Sequence, residues 1–180
     1  MKEIETKILE FDENALRESL GKAGAEYLGK RSLRRVVFDA MPGTTEQDEI
    51  IRVRTDGSRT TLTWKYRDNR KGSLDNTEEI EVDVSDFDKT VEIISKLWKG
   101  KPPYHQETML ETWRCMGVEI AICTWPLVPP FLEVEGESES DVRNAITELA
   151  ITGKEIGNMG LAYVFERYGQ KGKDAGDLKF

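Results

Sequence analysis

Polar and apolar residues alternate with a period of two along much of the chain. In the first predicted strand, Ile4 and Ile8 lie on one side and the charged residues Glu5 and Lys7 on the other. This strand ends near Phe11. Such alternation is typical of a strand with one packed face and one polar face. It predicts further strands at residues 34–40, 49–54, 60–67, 77–84, 104–114, 118–124 and 131–136. Their order favours an antiparallel sheet.

Helical spacing of apolar residues and capping residues predict four helices around these strands. The predicted helices run from Asp12 as cap to Leu28, from Ser85 to about Trp98, from Ser138 or Ser140 to about Ile151, and from Gly160 to Tyr168. Turns are predicted at Pro42-Gly43 and Lys71-Gly72. Since no linker or repeat interrupts this order, we expect one α+β domain over residues 1–180.

Each predicted strand has one charged face and one apolar face. Residues that share a face lie two positions apart. The charged sets are Glu3/Glu5/Lys7, Arg52/Arg54, Thr63/Lys65, Glu79/Glu81 and Glu133/Glu135. A solvated sheet face would explain any one set. However, the acidic and basic pairs are segregated onto different strands, and closing the sheet into a barrel would bring them together around one lumen.

Composition narrows the chemistry that such a lumen could perform. The 180 residues carry 26 Lys and Arg against 34 Asp and Glu, a net charge of −8, so duplex nucleic acid is an improbable partner. The charged start and the lack of long apolar runs predict a soluble, cytoplasmic protein without a membrane partner. With one histidine, His105, and two cysteines, neither an ordinary zinc site nor a Ser-His-Asp triad is expected. Any chemistry in the lumen would therefore depend on carboxylates, cationic side chains and a bound metal.

Five strand segments carry these charges in an order that resembles the CYTH superfamily, also called triphosphate tunnel metalloenzymes. The segments are Glu3-Ile4-Glu5-Thr6-Lys7, Ile51-Arg52-Val53-Arg54, Leu62-Thr63-Trp64-Lys65, Glu78-Glu79-Ile80-Glu81 and Phe131-Leu132-Glu133-Val134-Glu135-Gly136. The resemblance covers nearly the whole chain. It implies an eight-stranded antiparallel β tunnel with helices packed outside. It also implies a substrate that contains a triphosphate, processed with Mg²⁺ or Mn²⁺ by a phosphohydrolase or an adenylate cyclase-like enzyme.

The resemblance also implies roles for individual residues. The implied metal ligands are Glu3, Glu5, Glu133 and Glu135, the implied substrate-binding residues are Lys7, Arg52, Arg54, Lys65 and Glu79, and the implied catalytic residues are Glu3, Glu5, Lys7 and Glu81. Glu79 and Glu81 would orient the basic residues, or help to position a water molecule or a second metal. Among all these roles, those of Glu79 and Glu81 follow least directly from the motif.

Two strands depart from the family pattern. Thr108-Met109-Leu110-Glu111 stands where the family usually carries a basic pair, with Leu110 in place of an expected Arg, and Cys123 replaces an expected Asp, with Ala121 two residues earlier. In one interpretation Glu111 and Arg114 supply substitutes. In another, one tunnel wall has become apolar, through divergence or redesign. The alternative function is then an impaired tunnel that binds a bulkier, less charged ligand.

Other basic residues lie outside the five motifs. Alternation directs either Arg34 or Arg35 inward from the second strand, but a solvated surface position is the simpler interpretation for both. The basic run of residues 65–71 is typical of a solvated hairpin, and it could also guide an anion towards the tunnel.

Overall fold

The structure is a computed structural model that describes the backbone of residues 2–40, 47–68 and 77–180. Side chains are described for residues 4–40, 48–68 and 77–180. The strands are β1 (Lys2–Leu9), β2 (Glu26–Asp39), β3 (Gln47–Thr55), β4 (Thr60–Asp68), β5 (Thr77–Asp83), β6 (Tyr104–Cys115), β7 (Val118–Thr124), β8 (Phe131–Gly136) and β9 (Lys154–Gly157). The helices are α1 (Glu13–Lys22), α2 (Phe87–Leu97), α3 (Glu139–Glu148) and α4 (Leu161–Arg167). The turns predicted at Pro42-Gly43 and Lys71-Gly72 lie outside the described residues.

The sheet curls until its two ends meet at β1. Its strand order is β5-β4-β3-β2-β6-β7-β8-β1-β9, with an additional β5–β1 pairing. One edge of β1 pairs with β8, and its other edge pairs with β5 at Lys2 and Glu3 and with β9 from Lys7 to Leu9. Every strand pairing in this ring is antiparallel. The predicted antiparallel α+β tunnel is therefore confirmed, with β9 as a ninth strand beyond the eight expected.

The apolar faces of the strands point outward and are covered by the helices. Leu16 and Leu20 of α1 and Val142 of α3 pack with Ile8, Leu132 and other buried residues of the strands they cover. Helix α2 covers Val36, Phe38 and Val53. These parts of the hydrophobic core lie between the sheet and the helices. Helix α4 and Leu178 differ, because they pack with Trp125 and Phe131, which line the cavity inside the ring. The rest of the inner face carries mainly polar side chains.

Three local predictions differ from the structure. Helix α1 ends six residues earlier than predicted, because Gly24 (φ +68°) accepts the left-handed conformation after the last turn and Ala25 N–H then bonds Leu20 C=O. Strand β2 therefore begins at Glu26, eight residues before the predicted start at residue 34. Asp86 rather than Ser85 caps α2, whereas Ser138 caps α3 as one of the two predicted alternatives.

Strand β9 was not predicted. Its four residues are too few to show alternation, and it exists because it pairs with the free edge of β1. None of the helices in the described ranges has the length and apolar composition needed to cross a bilayer.

Candidate functional site

The ring encloses a polar cavity of about 660 Å³. Among the described residues, nine basic and ten acidic side chains line this cavity. Charged side chains are rarely enclosed in such numbers unless they are paired. The lining includes the predicted site residues with described side chains: Glu5, Lys7, Arg52, Arg54, Lys65, Glu79, Glu81, Glu133 and Glu135. Glu3 lies in β1 opposite Thr77, but its side chain is outside the described part of the structure. The tunnel therefore brings together motifs from five strands.

On one wall, Lys7 lies between two carboxylates. Its ammonium contacts Glu5 Oε1 at 2.8 Å and Glu133 Oε1 at 3.4 Å. Arg67 of β4 donates to the same Glu5 oxygen at 2.6 Å. Burial alone would raise the pKa of Glu5, but the charges of Lys7, Lys65 and Arg67 hold that pKa well below its usual range. Burial alone would lower the pKa of Lys7, but Glu5 and Glu133 together raise it. Both groups therefore stay ionised at neutral pH.

On the adjoining wall, which the β1–β5 pairing joins to the first, basic residues of β3 and β4 pair with the acidic residues of β5. Glu79 lies 3.1 Å from Lys65 and 3.8 Å from Arg52, while Glu81 lies 3.5 Å from Arg54. The Thr63 hydroxyl also donates to Glu81 at 2.9 Å. Burial and the neighbouring Arg52 lower the pKa of Arg54 to about 10, so its guanidinium remains charged at neutral pH. This network fixes the orientation of three cationic side chains that face the cavity.

The donor set suits a hard divalent cation only in part. Carboxylates are the ligands that Mg²⁺ and Mn²⁺ prefer, and Glu5, Glu135 and Glu119 stand directly opposite one another across β1, β8 and β7. Like charges in such cross-strand positions repel unless a cation lies near them. In the described ranges, however, no three acidic, thiol or imidazole side chains converge closely enough to hold a metal by themselves. Further oxygen ligands would have to come from the substrate, from water or from Glu3.

The two departures from the family pattern do face the lumen. Leu110, Ala121 and Cys123 all line the cavity, whereas Met109 lies on the other face of β6 and is absent from the lining. The Cys123 thiol donates to Glu133 Oε2 at 3.2 Å, and burial together with the charge of Glu133 raises its pKa well above the usual value. It is therefore a neutral thiol at pH 7.

Neither suggested substitute, Glu111 or Arg114, replaces the missing charges inside the tunnel. Glu111 points out of the ring and accepts hydrogen bonds from Arg17 of α1. Arg114 lines the cavity, but its side chain is 59% exposed and pairs with Glu26 at 3.7 Å. Glu111 is therefore not a substitute, and Arg114 provides a charge only where the tunnel is open to solvent.

Sequence analysis missed four basic residues of the described lumen: Arg31 and Arg59, which are 48% and 60% exposed, and Arg35 and Arg67. Arg35, expected at the surface, lines the cavity, while Arg34 is exposed as expected and stacks over Phe87. Arg67, interpreted as part of a solvated hairpin, is buried and bonds Glu5 and Thr77. Parity offered a signal for Arg67, because it lies two residues after the inward Lys65 on the same strand. Parity alone did not separate Arg34 from Arg35.

Comparison with known proteins identifies the family of this tunnel. No family model matches the chain. A curated protein, "Putative adenylate cyclase MJ0240" of Methanocaldococcus jannaschii, is 31% identical over 144 residues, which is 79% of this chain and 80% of that protein. Together with the charged tunnel, this similarity shows that the chain belongs to the CYTH superfamily, which includes adenylate cyclase-like and triphosphatase proteins.

Solved structures share the fold at low sequence identity. The PH1012 protein of Pyrococcus horikoshii matches with a TM-score of 0.66 and 16% identity, over 83% of this chain and 91% of that one. An adenylyl cyclase-type protein of Hippeastrum, reported with a dominant triphosphatase activity, matches with a TM-score of 0.57 and 13% identity, over 94% of this chain and 97% of that one. These similarities support the tunnel fold.

Proposed function

We propose that the chain is a metal-dependent enzyme that processes a triphosphate-containing substrate inside the tunnel, as a phosphohydrolase or an adenylate cyclase-like enzyme. The observation that carries the proposal is the pair of adjoining charged networks in one lumen: Glu5, Lys7 and Glu133 on β1 and β8, and the β3–β5 cations with their carboxylates next to them. A triphosphate bound to a divalent cation presents both signs of charge and would satisfy both networks.

The basic side chains would bind the phosphate oxygens. Arg52, Arg54 and Lys65 are already oriented by Glu79 and Glu81, so little conformational entropy is lost when they bind an anion. Lys7 would bind the phosphates from the adjoining strand β1. Charge that develops on the transferred group would then be stabilised by donors that are fixed in advance.

The acidic side chains would hold the cation. Glu5, kept anionic by its neighbours, is suited to be a permanent ligand rather than a base, and Glu133, Glu135 and Glu3 would complete the set. A bound Mg²⁺ or Mn²⁺ would neutralise phosphate charge and activate a water molecule. In a phosphohydrolase, the water oxygen would bond to the terminal phosphorus as the bridging P–O bond breaks, so that orthophosphate forms and the diphosphate part of the substrate is the leaving group. In a cyclase, the ribose 3′-hydroxyl attacks the α-phosphorus and pyrophosphate leaves.

Product analysis tests this proposal and separates the two reactions. Purified protein would be incubated with tripolyphosphate, thiamine triphosphate or ATP in the presence of Mg²⁺ or Mn²⁺. Orthophosphate release indicates a phosphohydrolase, while pyrophosphate with cyclic AMP indicates a cyclase. Turnover should fall at least 100-fold in Glu133→Gln and stay unchanged in Glu18→Gln, whose carboxylate pairs with Lys22 on the surface of α1. Absence of turnover with every substrate would overturn the proposal.

A second candidate function rests on the uncharged side of the lumen. Leu110, Ala121, Cys123 and Phe131 all line the cavity, and these side chains suit an organic group better than a phosphate. In this case the tunnel would bind a bulkier, less charged ligand without turnover. Thermal stabilisation by such a ligand, with no product formed, would favour this function over the first.

A further inference from the structure

Arg35 differs from every other basic residue described above in how its charge is balanced. Its guanidinium lies 4.6 Å from the centroid of the Trp125 ring, and one terminal nitrogen donates to Thr108 Oγ1 at 2.8 Å. Both partners are neutral. No carboxylate in the described ranges lies within ion-pair distance of it, whereas Lys7, Arg52, Arg54, Lys65 and Arg67 all have such a partner.

Arg52 and Arg54 add positive charge beside Arg35, and the Glu133 carboxylate, which lies beyond ion-pair distance, offsets it only in part. Arg35 stands directly opposite Arg54 in the β2–β3 pairing, and Val37 stands opposite Arg52. Burial, followed by the charges of Arg52 and Arg54, lowers the pKa of Arg35 well below its usual value. Like charges at directly opposed positions destabilise a sheet. Arg35 therefore lowers the stability of the empty tunnel.

Two guanidinium donors in this cluster also lack acceptors. The Nε groups of Arg35 and Arg52 are both buried without a hydrogen-bond partner among the described residues. Buried donors are nearly always satisfied in native proteins, so two unsatisfied Nε groups in one cluster add to the cost of the empty tunnel. The guanidinium groups themselves are cationic and clustered at the cavity, and the ligand that suits such a cluster is an anion with several oxygens.

The position of Arg35 adds a cation to a wall that has none of its own. The inward residues of β6 along this stretch are Gln106, Thr108 and Leu110, all of them uncharged. Arg35 reaches this wall from β2, and Thr108 and Trp125 hold it there. It thus faces the same cavity as Arg52 and Arg54 from a different strand. Three guanidinium groups then surround one volume.

We propose that Arg35 is a substrate-binding residue that donates hydrogen bonds to phosphate oxygens in the tunnel, and that Trp125 and Thr108 are the residues that position it. This assignment rests on the proposed function, since it names a further part of the same site. The repulsion among Arg35, Arg52 and Arg54 is relieved when the anion binds. The clustered cations lower the stability of the empty protein and raise its affinity for the anion, a relation that is common in binding sites.

Calorimetric titration with inorganic tripolyphosphate in the presence of Mg²⁺ tests the assignment. Arg35→Gln should raise the Kd at least tenfold, and Arg35→Lys, which keeps the charge, should recover most of the affinity. Arg34→Gln is the matched control on the same strand, because Arg34 is exposed, and it should bind within twofold of the wild type. Equal affinity of the Arg35→Gln and Arg34→Gln variants would overturn the assignment.

Thermal melting of the same variants separates binding from a structural role. Arg35→Met removes an uncompensated cation, so its melting temperature should equal or exceed that of the wild type while its affinity falls. A lower melting temperature together with lost affinity would show a structural role and would also overturn the assignment. If the wild type binds tripolyphosphate without turnover, the proposed enzymatic function is refuted, but the effect of Arg35 on the Kd is still measured. Turnover that is insensitive to Arg35 would refute only the assignment.

Discussion

Cys123 shows how one side chain can be fixed by the charges around it. The thiol is buried, donates to Glu133 and lies close to the pair formed by Glu5 and Lys7. Ionising it would place a second negative charge beside the Glu133 carboxylate in a site with little water. Its pKa is therefore raised, and the thiol keeps its proton under conditions in which a cysteine of the unfolded chain loses it.

This shift predicts an alkaline loss of stability. Below the unfolded pKa of about 8.5, both states hold the thiol proton and the shift has no effect. Above it, only the unfolded state releases the proton, so the free energy of unfolding decreases by up to about 1.4 kcal/mol per pH unit until the folded pKa is reached. Denaturant titrations between pH 7.5 and pH 10 should show this decrease in the wild type.

Cys123→Ser provides the matched control for the pH titration. Serine keeps a donor for Glu133 but does not titrate in this range, so its stability curve should decline less above pH 8.5 than that of the wild type. Parallel curves for the two proteins would contradict the predicted shift. Titration of Tyr104, whose pKa burial raises, is common to both proteins and cancels in the difference.

At the scale of the element, β9 depends on one glycine. Gly153 precedes the strand with φ +137°, and a Cβ at this position would lie 2.6 Å from the Leu9 carbonyl oxygen and 2.7 Å from Ile8 Cγ2. The chain therefore approaches the backbone of β1 as closely as it does because residue 153 has no side chain. This close approach allows β9 to pair with β1 from Lys7 to Leu9, beyond the part of β1 that pairs with β5.

Replacing Gly153 should weaken the docking of β9. Gly153→Ala combines an unfavourable φ with a backbone clash, and we expect it to destabilise the protein by about 3 kcal/mol. Gly24→Ala is the matched control, because Gly24 also has a positive φ but open space at the Cβ position. Its cost should be about 1 kcal/mol. Equal midpoints of urea unfolding for the two variants would show that the close approach to β1 does not affect the free energy of unfolding.

At the scale of the whole molecule, closure of the ring joins charges from distant parts of the chain. Arg67 of β4 bonds both Glu5 of β1 and Thr77 of β5, at the place where β1 and β5 pair. The β1–β5 pairing contains two described residue pairs, which is a short ladder for the seam of a barrel. Both the backbone pairing and the side-chain bonds of Arg67 inside the lumen therefore stabilise the seam between β1 and β5.

Arg67→Gln should loosen this seam. Loss of the buried guanidinium leaves Glu5 with fewer compensating charges, and we expect a cost of about 3 kcal/mol. Arg59→Gln is the comparison, since Arg59 is 60% exposed in its pairs with Asp83 and Glu81, and its loss should cost about 1 kcal/mol or less. Hydrogen exchange should accelerate in β5 and at the start of β1 more than in β6 and β7. Uniform protection in Arg67→Gln would argue against the seam as the weak point.

The sequence by itself determined the class of fold and nine of the nineteen charged residues in the described lining of the lumen. Alternation with period two depends on local geometry alone, so it identified the inward faces of β1, β3, β4, β5 and β8 and the charged pairs that line the cavity. The family followed from the order of those pairs, and the similarity to the archaeal relative shows it independently. The same reasoning identified Leu110, Ala121 and Cys123 as departures that alter one wall.

Only the tertiary structure decided which charges meet. The inward position of Arg35, the bond from Arg67 to Glu5 and the pairing of β9 all depend on neighbours that are remote in sequence. Parity along a strand assigns each residue to a face, but it does not specify the neighbouring strands or the shape of the closed ring. Electrostatic pairing depends on distances across the lumen. Those distances exist only once the sheet has curled and β1 has met β5.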